Sequence, residues 1–140
     1  MATILSGLLG GLLGAIATGA MMLMNDDPGP ASVVWAKYLG DGDPTHYERF
    51  GNAVHLVYGA VAGVVFVLLA GGLSLGVSTL GGALLWALVW SAILALLAAG
   101  FWMKVVQGAD PDAEVLVAMG LMHLVFGLAL GLVVSVAPTL

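Results

Sequence analysis

The sequence predicts an all-α integral membrane protein: a four-transmembrane-helix bundle, built as a tandem duplication of a two-helix unit and supplemented by a short interfacial helix. Three observations carry this. Of 140 residues, 61% are hydrophobic and only 8% charged, against a charged share of about 25% in soluble domains. Every Asp, Glu, Lys and Arg falls in one of two windows, 26–49 and 104–114. The rest forms four apolar segments, at 3–24, 50–70, 80–103 and 115–136, each near the roughly 20 residues that cross about 30 Å of hydrocarbon. The whole of 1–140 reads as a single membrane domain.

The first segment lacks the positively charged flank of a signal peptide, and its apolar run exceeds the usual length of about 7 to 15 residues, so it is expected to remain as a helix. In the long connection that follows, Pro30 precedes a short amphipathic run, Ser32 to Leu39, with Gly40 placed to end it in a left-handed cap. Trp35 and Tyr38 suit headgroup depth, with Lys37 free to snorkel, so this run is expected to lie at the interface. Asp43-Pro44 and Asp110-Pro111 match the pattern of helix starts, because aspartate caps free backbone N–H groups and proline is favoured at the first helical position. They precede the second and fourth spans. The uncharged, Gly- and Ser-rich "GGLSLGVSTL" between spans two and three reads as a tight turn, making those spans a hairpin.

The repeat rests on two stretches: "HLVYGAVAG" from His55 and "HLVFGLALG" from His123 share five of nine positions, in a chain with three histidines. Each follows an Asp-Pro start by a similar rise, which places the two imidazoles at similar depth. Spans one and three align more faintly, "LLGAIATGAM" from Leu12 with "LLWALVWSAI" from Leu84, setting Gly14 and Thr18 against Trp86 and Trp90. The halves are then about 1–70 and 71–140. Residues at i, i+4 and i+8 share a helical face, so His55, Gly59 and Gly63 form one stripe and His123, Gly127 and Gly131 its counterpart. Such stripes let membrane helices approach closely, and spans two and four are expected to pack together through Gly59 and Gly127. The glycines of span one, at 7, 10, 11 and 14, are left to face a second copy or a larger complex.

The absence of cysteine removes disulfides, iron–sulfur ligation and thiolate zinc sites. No basic patch for nucleic acid, catalytic motif or phosphate loop is present, and no small-molecule substrate is indicated. Aspartate-rich loops such as "NDDPGP", "GDGDP" and "DPDAE", with glycine-rich spans, resemble those of small four-helix membrane proteins of haloarchaea; the resemblance implies an architecture and no activity. Lys37, Arg49 and Lys104 lie on the side opposite both termini, which predicts cytoplasmic loops in a multi-pass cell-membrane protein.

Ionisable groups inside a membrane carry a functional expectation by default. The preferred reading of His55 and His123 is nevertheless structural: each imidazole bonds to a hydroxyl or carbonyl, no cofactor is bound, and the protein is a non-enzymatic structural or accessory subunit. Three alternatives stay open. The two histidines could be axial ligands of a b-type haem, with Arg49 near a propionate. Glu48, Asn52 and His55, spaced four and three apart, could form a proton ladder. Met119, Met122 and His123 could hold the cuprous ion, since thioether and imidazole donors suit it.

Overall fold

The structure, a computed structural model, describes residues 2–24 and 28–136. The acidic start of the first loop, residues 25–27, lies outside the described residues. Helix α1 spans Ile4–Met24, α2 Pro30–Tyr38, α3 Glu48–Gly72, α4 Leu80–Leu97 and α5 Ala113–Val136. A single 3-10 turn, Pro44–Tyr47, leads into α3, and α4 runs on as a π-helical segment over Ala98–Gln107. Four of these helices, counting α3 and α4 with their extensions, are long and apolar enough to cross a membrane.

The antiparallel neighbours α1 and α3, α1 and α5, and α4 and α5 pack extensively. Helices α3 and α4, although consecutive, barely touch along their lengths, so the expected hairpin is a connection without an interface. Its turn is ordered by Thr79, whose Oγ1 accepts from Gly82 N at 3.1 Å and caps α4. The wide α3–α4 edge is bridged by Trp90, which donates from Nε1 to Ala62 O at 3.1 Å. Trp86 and Trp90 pack on the core beside Ala62, Phe66, Leu130 and Val134, as bulky fillers where no glycine brings the backbones together.

The glycine stripes decide which helices meet. A Cβ on Gly63 would lie 2.8 Å from Gly11 Cα, and one on Gly59 would collide with the Ala15 side chain, so Gly59 and Gly63 receive α1. A Cβ on Gly127 would meet the Ser91 side chain at 2.5 Å, and one on Gly131 the Leu84 Cα at 2.9 Å; this stripe receives α4. Gly10 and Gly14 make room for Leu130 and Phe126 of α5. The expectation that Gly59 and Gly127 pack the second and fourth spans together is therefore corrected. Each stripe finds a small-residue face on one neighbouring helix, α1 for Gly59 and Gly63 and α4 for Gly127 and Gly131, and Gly7 and Gly11 face α3 rather than another copy.

Local chemistry at the charged end differs from expectation in several places. Asp43 caps the 3-10 turn, its Oδ1 accepting from Thr45 N at 3.0 Å, but the residue capping α5 is Asp112, which accepts from Val115 N at 2.9 Å, not Asp110. Gly40 is not left-handed; positive φ occurs at Gly29, Gly42 and Gly108 among the described glycines, and Gly40 is small because the Tyr47 ring lies against it. Helix α2 begins at Pro30 and sits on α3, where Gly51 leaves space for the buried Ser32. Trp35 packs on Phe50 with ring centroids 4.1 Å apart. Lys37 is not free: its Nζ donates to Gln107 O, and Tyr38 Oη donates to Val106 O. These carbonyls stand at the end of the π-helical segment, where intrahelical partners run out, and α2 supplies the missing donors.

Candidate functional site

His55 and His123 line one cavity between the helices. A chamber of about 50 Å³ is lined by Thr18 of α1, His55 and Tyr58 of α3, Leu94 of α4, and Met122 and His123 of α5, among others. Its geometry follows from the stripes. Gly59 admits Ala15, and in this antiparallel pair the next turn of α1 brings the buried Thr18 beside His55, one turn before Gly59. Thr18 Oγ1 and His55 Nε2 are 2.9 Å apart. Between α4 and α5, Gly127 admits Ser91, and the next turn of α4 presents Leu94, which has no polar group to offer. His123 turns instead to its own helix, with Nδ1 2.9 Å from Met119 O.

These contacts assign the ring protons. A carbonyl only accepts, so His123 Nδ1 donates to Met119 O, and Nε2 of the neutral ring carries a lone pair. For His55, the Thr18 hydroxyl has a single hydrogen and lies 3.0 Å from Gly14 O and 3.2 Å from Ala15 O, the back-bonding usual for threonine inside a helix. Oγ1 then accepts from His55 Nε2–H. The Ala15 carbonyl also lies close enough to the His55 ring to accept from it, and leaving such a bond unmade in an apolar interior would cost about 1–3 kcal/mol. The rings are thus opposite tautomers, each anchored through one nitrogen. His123 Nε2 has no hydrogen-bond partner among the described residues, and it is not sealed off, because no buried side-chain N or O atom of those residues lacks a partner.

The other expected site residues separate. Glu48 and Asn52 are half-buried on the first turns of α3, but no hydrogen bond joins them to each other or to His55 among the described residues, so the ladder is not continuous. Met122 and His123 reach the chamber, whereas Met119 contributes its carbonyl to His123 and its side chain is not in the lining. A porphyrin does not fit: the space is about 50 Å³, against the roughly 300 Å³ or more of small-molecule and cofactor pockets, and His55 Nε2 faces Thr18. No cluster of three or more His, Asp and Glu side chains able to hold a metal occurs among the described residues. Outside the spans, His46 hydrogen-bonds Asp41 at 2.7 Å and holds its carboxyl below the ordinary range, while the Thr45 hydroxyl and amide do the same for Asp43.

Sequence reasoning identified both histidines but missed Thr18 as a partner and Tyr58 and Leu94 as walls. For Thr18 a signal was present: a hydroxyl in an apolar span, about as far from the charged end as His55. Comparison with protein-family models, curated proteins and solved structures returns no match, so the site is read from its own chemistry.

Proposed function

We propose that this small all-α membrane protein is a non-enzymatic structural or accessory subunit, and that its histidines first serve to fix the bundle. The observation that carries this is the bonding of His55 to Thr18 across α1 and α3, with His123 tied to its own helix. The same reading takes the chain as two copies of a two-helix unit, α1 with α3 and α4 with α5. In each, a His-Gly-Gly face meets a small-residue face: Gly7, Gly11 and Ala15 in the first half, Ala83, Ala87 and Ser91 in the second. That pairing slides the faint sequence alignment of α1 with α4 by one turn, because small residues at the contact, not overall likeness, set the register. Association with a second copy or a larger complex then belongs to α4, the span least covered by the rest of the chain, and the acidic loops face the cytoplasm.

The test is the optical spectrum of the purified protein. The structural reading expects no Soret band; a Soret band lost in both His55→Ala and His123→Ala would overturn it in favour of haem. The stripe assignment has its own readout. Gly7→Ile and Gly11→Ile should destabilise the fold, whereas variants that stay folded but lose cross-linking between copies would return the α1 stripe to an intermolecular role.

A further inference from the structure

We propose that the cavity beneath the α3–α4 turn seats one hydrocarbon chain of a membrane glycerolipid, with Ser74 and Ser78 donating to the oxygens that link the chain to glycerol. The proposal goes beyond the packing role and does not depend on it.

The cavity holds about 260 Å³, near the lower end of ligand pockets at roughly 300 Å³, so it suits a length of chain rather than a whole molecule. Its floor is apolar: Val67, Ala70 and Val77 are buried, and Leu75 packs against the core. The polar side chains that line it are those of Ser74 and Ser78, both exposed. Neither hydroxyl has a hydrogen-bond partner among the described residues. Helix α3 ends at Gly72 and α4 begins at Leu80, and the ends of spanning helices mark the edge of the hydrocarbon. Val67 and Ala70 therefore lie inside that edge, and the hydroxyls lie at the depth where lipid chains join glycerol.

Ser74 is the sharper observation. Leu75 N donates to Ala70 O at 2.8 Å and Ser74 N to Gly71 O at 3.2 Å, the two bonds of a Schellman motif, whose left-handed residue is usually glycine. Ser74 holds that position with φ 53°, the one non-glycine at positive φ among the described residues. Glycine stands at 71, 72 and 76, yet the residue whose backbone calls for it carries a hydroxyl beside the cavity. The backbone gives no reason for that side chain; a hydrogen bond to a ligand does.

The ligand's class follows from what the site lacks. Every Asp, Glu, Lys and Arg lies in 26–49 or 104–114, at the other end of the spans, so no acidic or basic side chain here reads a phosphate or an ammonium. Serine hydroxyls are donors that match the ester or ether oxygens shared by glycerolipids. Recognition is then indifferent to headgroup charge.

The test uses the full chain in lipid nanodiscs doped with phosphatidylcholine or phosphatidylglycerol that carries a diazirine on the first carbons of one chain. After photolysis, adducts on the wild type should concentrate on residues 67–78, equally for both headgroups. Gly71→Leu, whose Cβ meets nothing within 4 Å, should fill the cavity and remove them. Ser74→Gly relieves the left-handed strain, so the fold should be at least as stable as the wild type. Its adducts should nevertheless fall by about 2- to 10-fold, the loss of one net hydrogen bond. The proposal is overturned if labelling is as dense on the exposed Leu85, Val89 and Ile93 of α4 as on 67–78, the lipid then being annular only. It is overturned equally if one headgroup labels about tenfold more than the other, or if a folded Ser74→Gly or Gly71→Leu labels as the wild type does. Should Gly71→Leu not fold, Ser74→Gly decides.

Discussion

Alanine at Gly63 places one methyl group where α1 and α3 have no room for it. Its Cβ would collide with Gly7 O and lie 2.8 Å from Gly11 Cα and 2.9 Å from Gly11 N, whereas carbon atoms settle about 3.5–4.0 Å apart. The opposing atoms are backbone and cannot rotate away, so α1 must withdraw by roughly 1 Å or more at this level. A gap of that size forfeits about a quarter to a half of the dispersion well of each contact it opens, and overpacking of this kind costs about 1–3 kcal/mol. Gly120 supplies the control, since a Cβ there meets nothing within 4 Å. Both substitutions gain the same helix propensity, about 0.8–1 kcal/mol in water, so their difference isolates the clash. In an unfolding titration in mixed micelles, Gly63→Ala should be less stable than Gly120→Ala by about 1–3 kcal/mol. Equal stability would refute the assignment of this stripe to the α1–α3 interface.

Trp90→Phe should cost about 0.6 kcal/mol for the lost bond to Ala62 O plus a small packing loss; a penalty matching that of Gly63→Ala would mean that the α3–α4 edge carries more of the bundle than its sparse contact implies. Tyr38→Phe and Lys37→Met should speed amide exchange across 98–107 while leaving α1 unchanged, because both donors end on carbonyls at the close of that segment. For Asp41 the folded carboxyl lies below its ordinary value of 3.8, through the hydrogen bond from His46. The carboxylate's stabilisation of the loop is therefore fully present above that value and is lost as pH falls through the lower, folded one. An NMR titration should find the Asp41 midpoint below 3.8, with His46→Ala moving it back up. Protease added outside intact cells should spare the 40–47 loop if the acidic side is cytoplasmic.

The spans were legible because the charge pattern brackets them: expected at 3–24 and 115–136, the outer two form Ile4–Met24 and Ala113–Val136. The inner two run a few residues beyond expectation, α3 from Glu48 to Gly72 and α4 through its π-helical continuation, which no local composition announced. Partner choice was not legible. A glycine stripe states that a backbone can approach, but the identity of the approaching helix depends on whether the opposing face is also small. Gly11 with Ala15 and Ala87 with Ser91 answer that only once register is known. The site was half legible for the same reason. His55 and His123 are rare residues in an apolar chain and drew notice by themselves, whereas Thr18 became a partner only through the packing of Gly59 on Ala15. Lys37 and Tyr38 were read by their residue type as membrane anchors; the tertiary structure turned both toward unsatisfied carbonyls.

The opposite anchoring of the two imidazoles supports the structural role, and ring nitrogen-15 spectra of the protein in bilayers test it directly. The expected result is a proton on Nε2 at His55 and a proton on Nδ1 at His123, with the exposed His46 removed by substitution to clear the spectrum. The same tautomer at both rings, or a His55 ring protonated on Nδ1, would contradict the account.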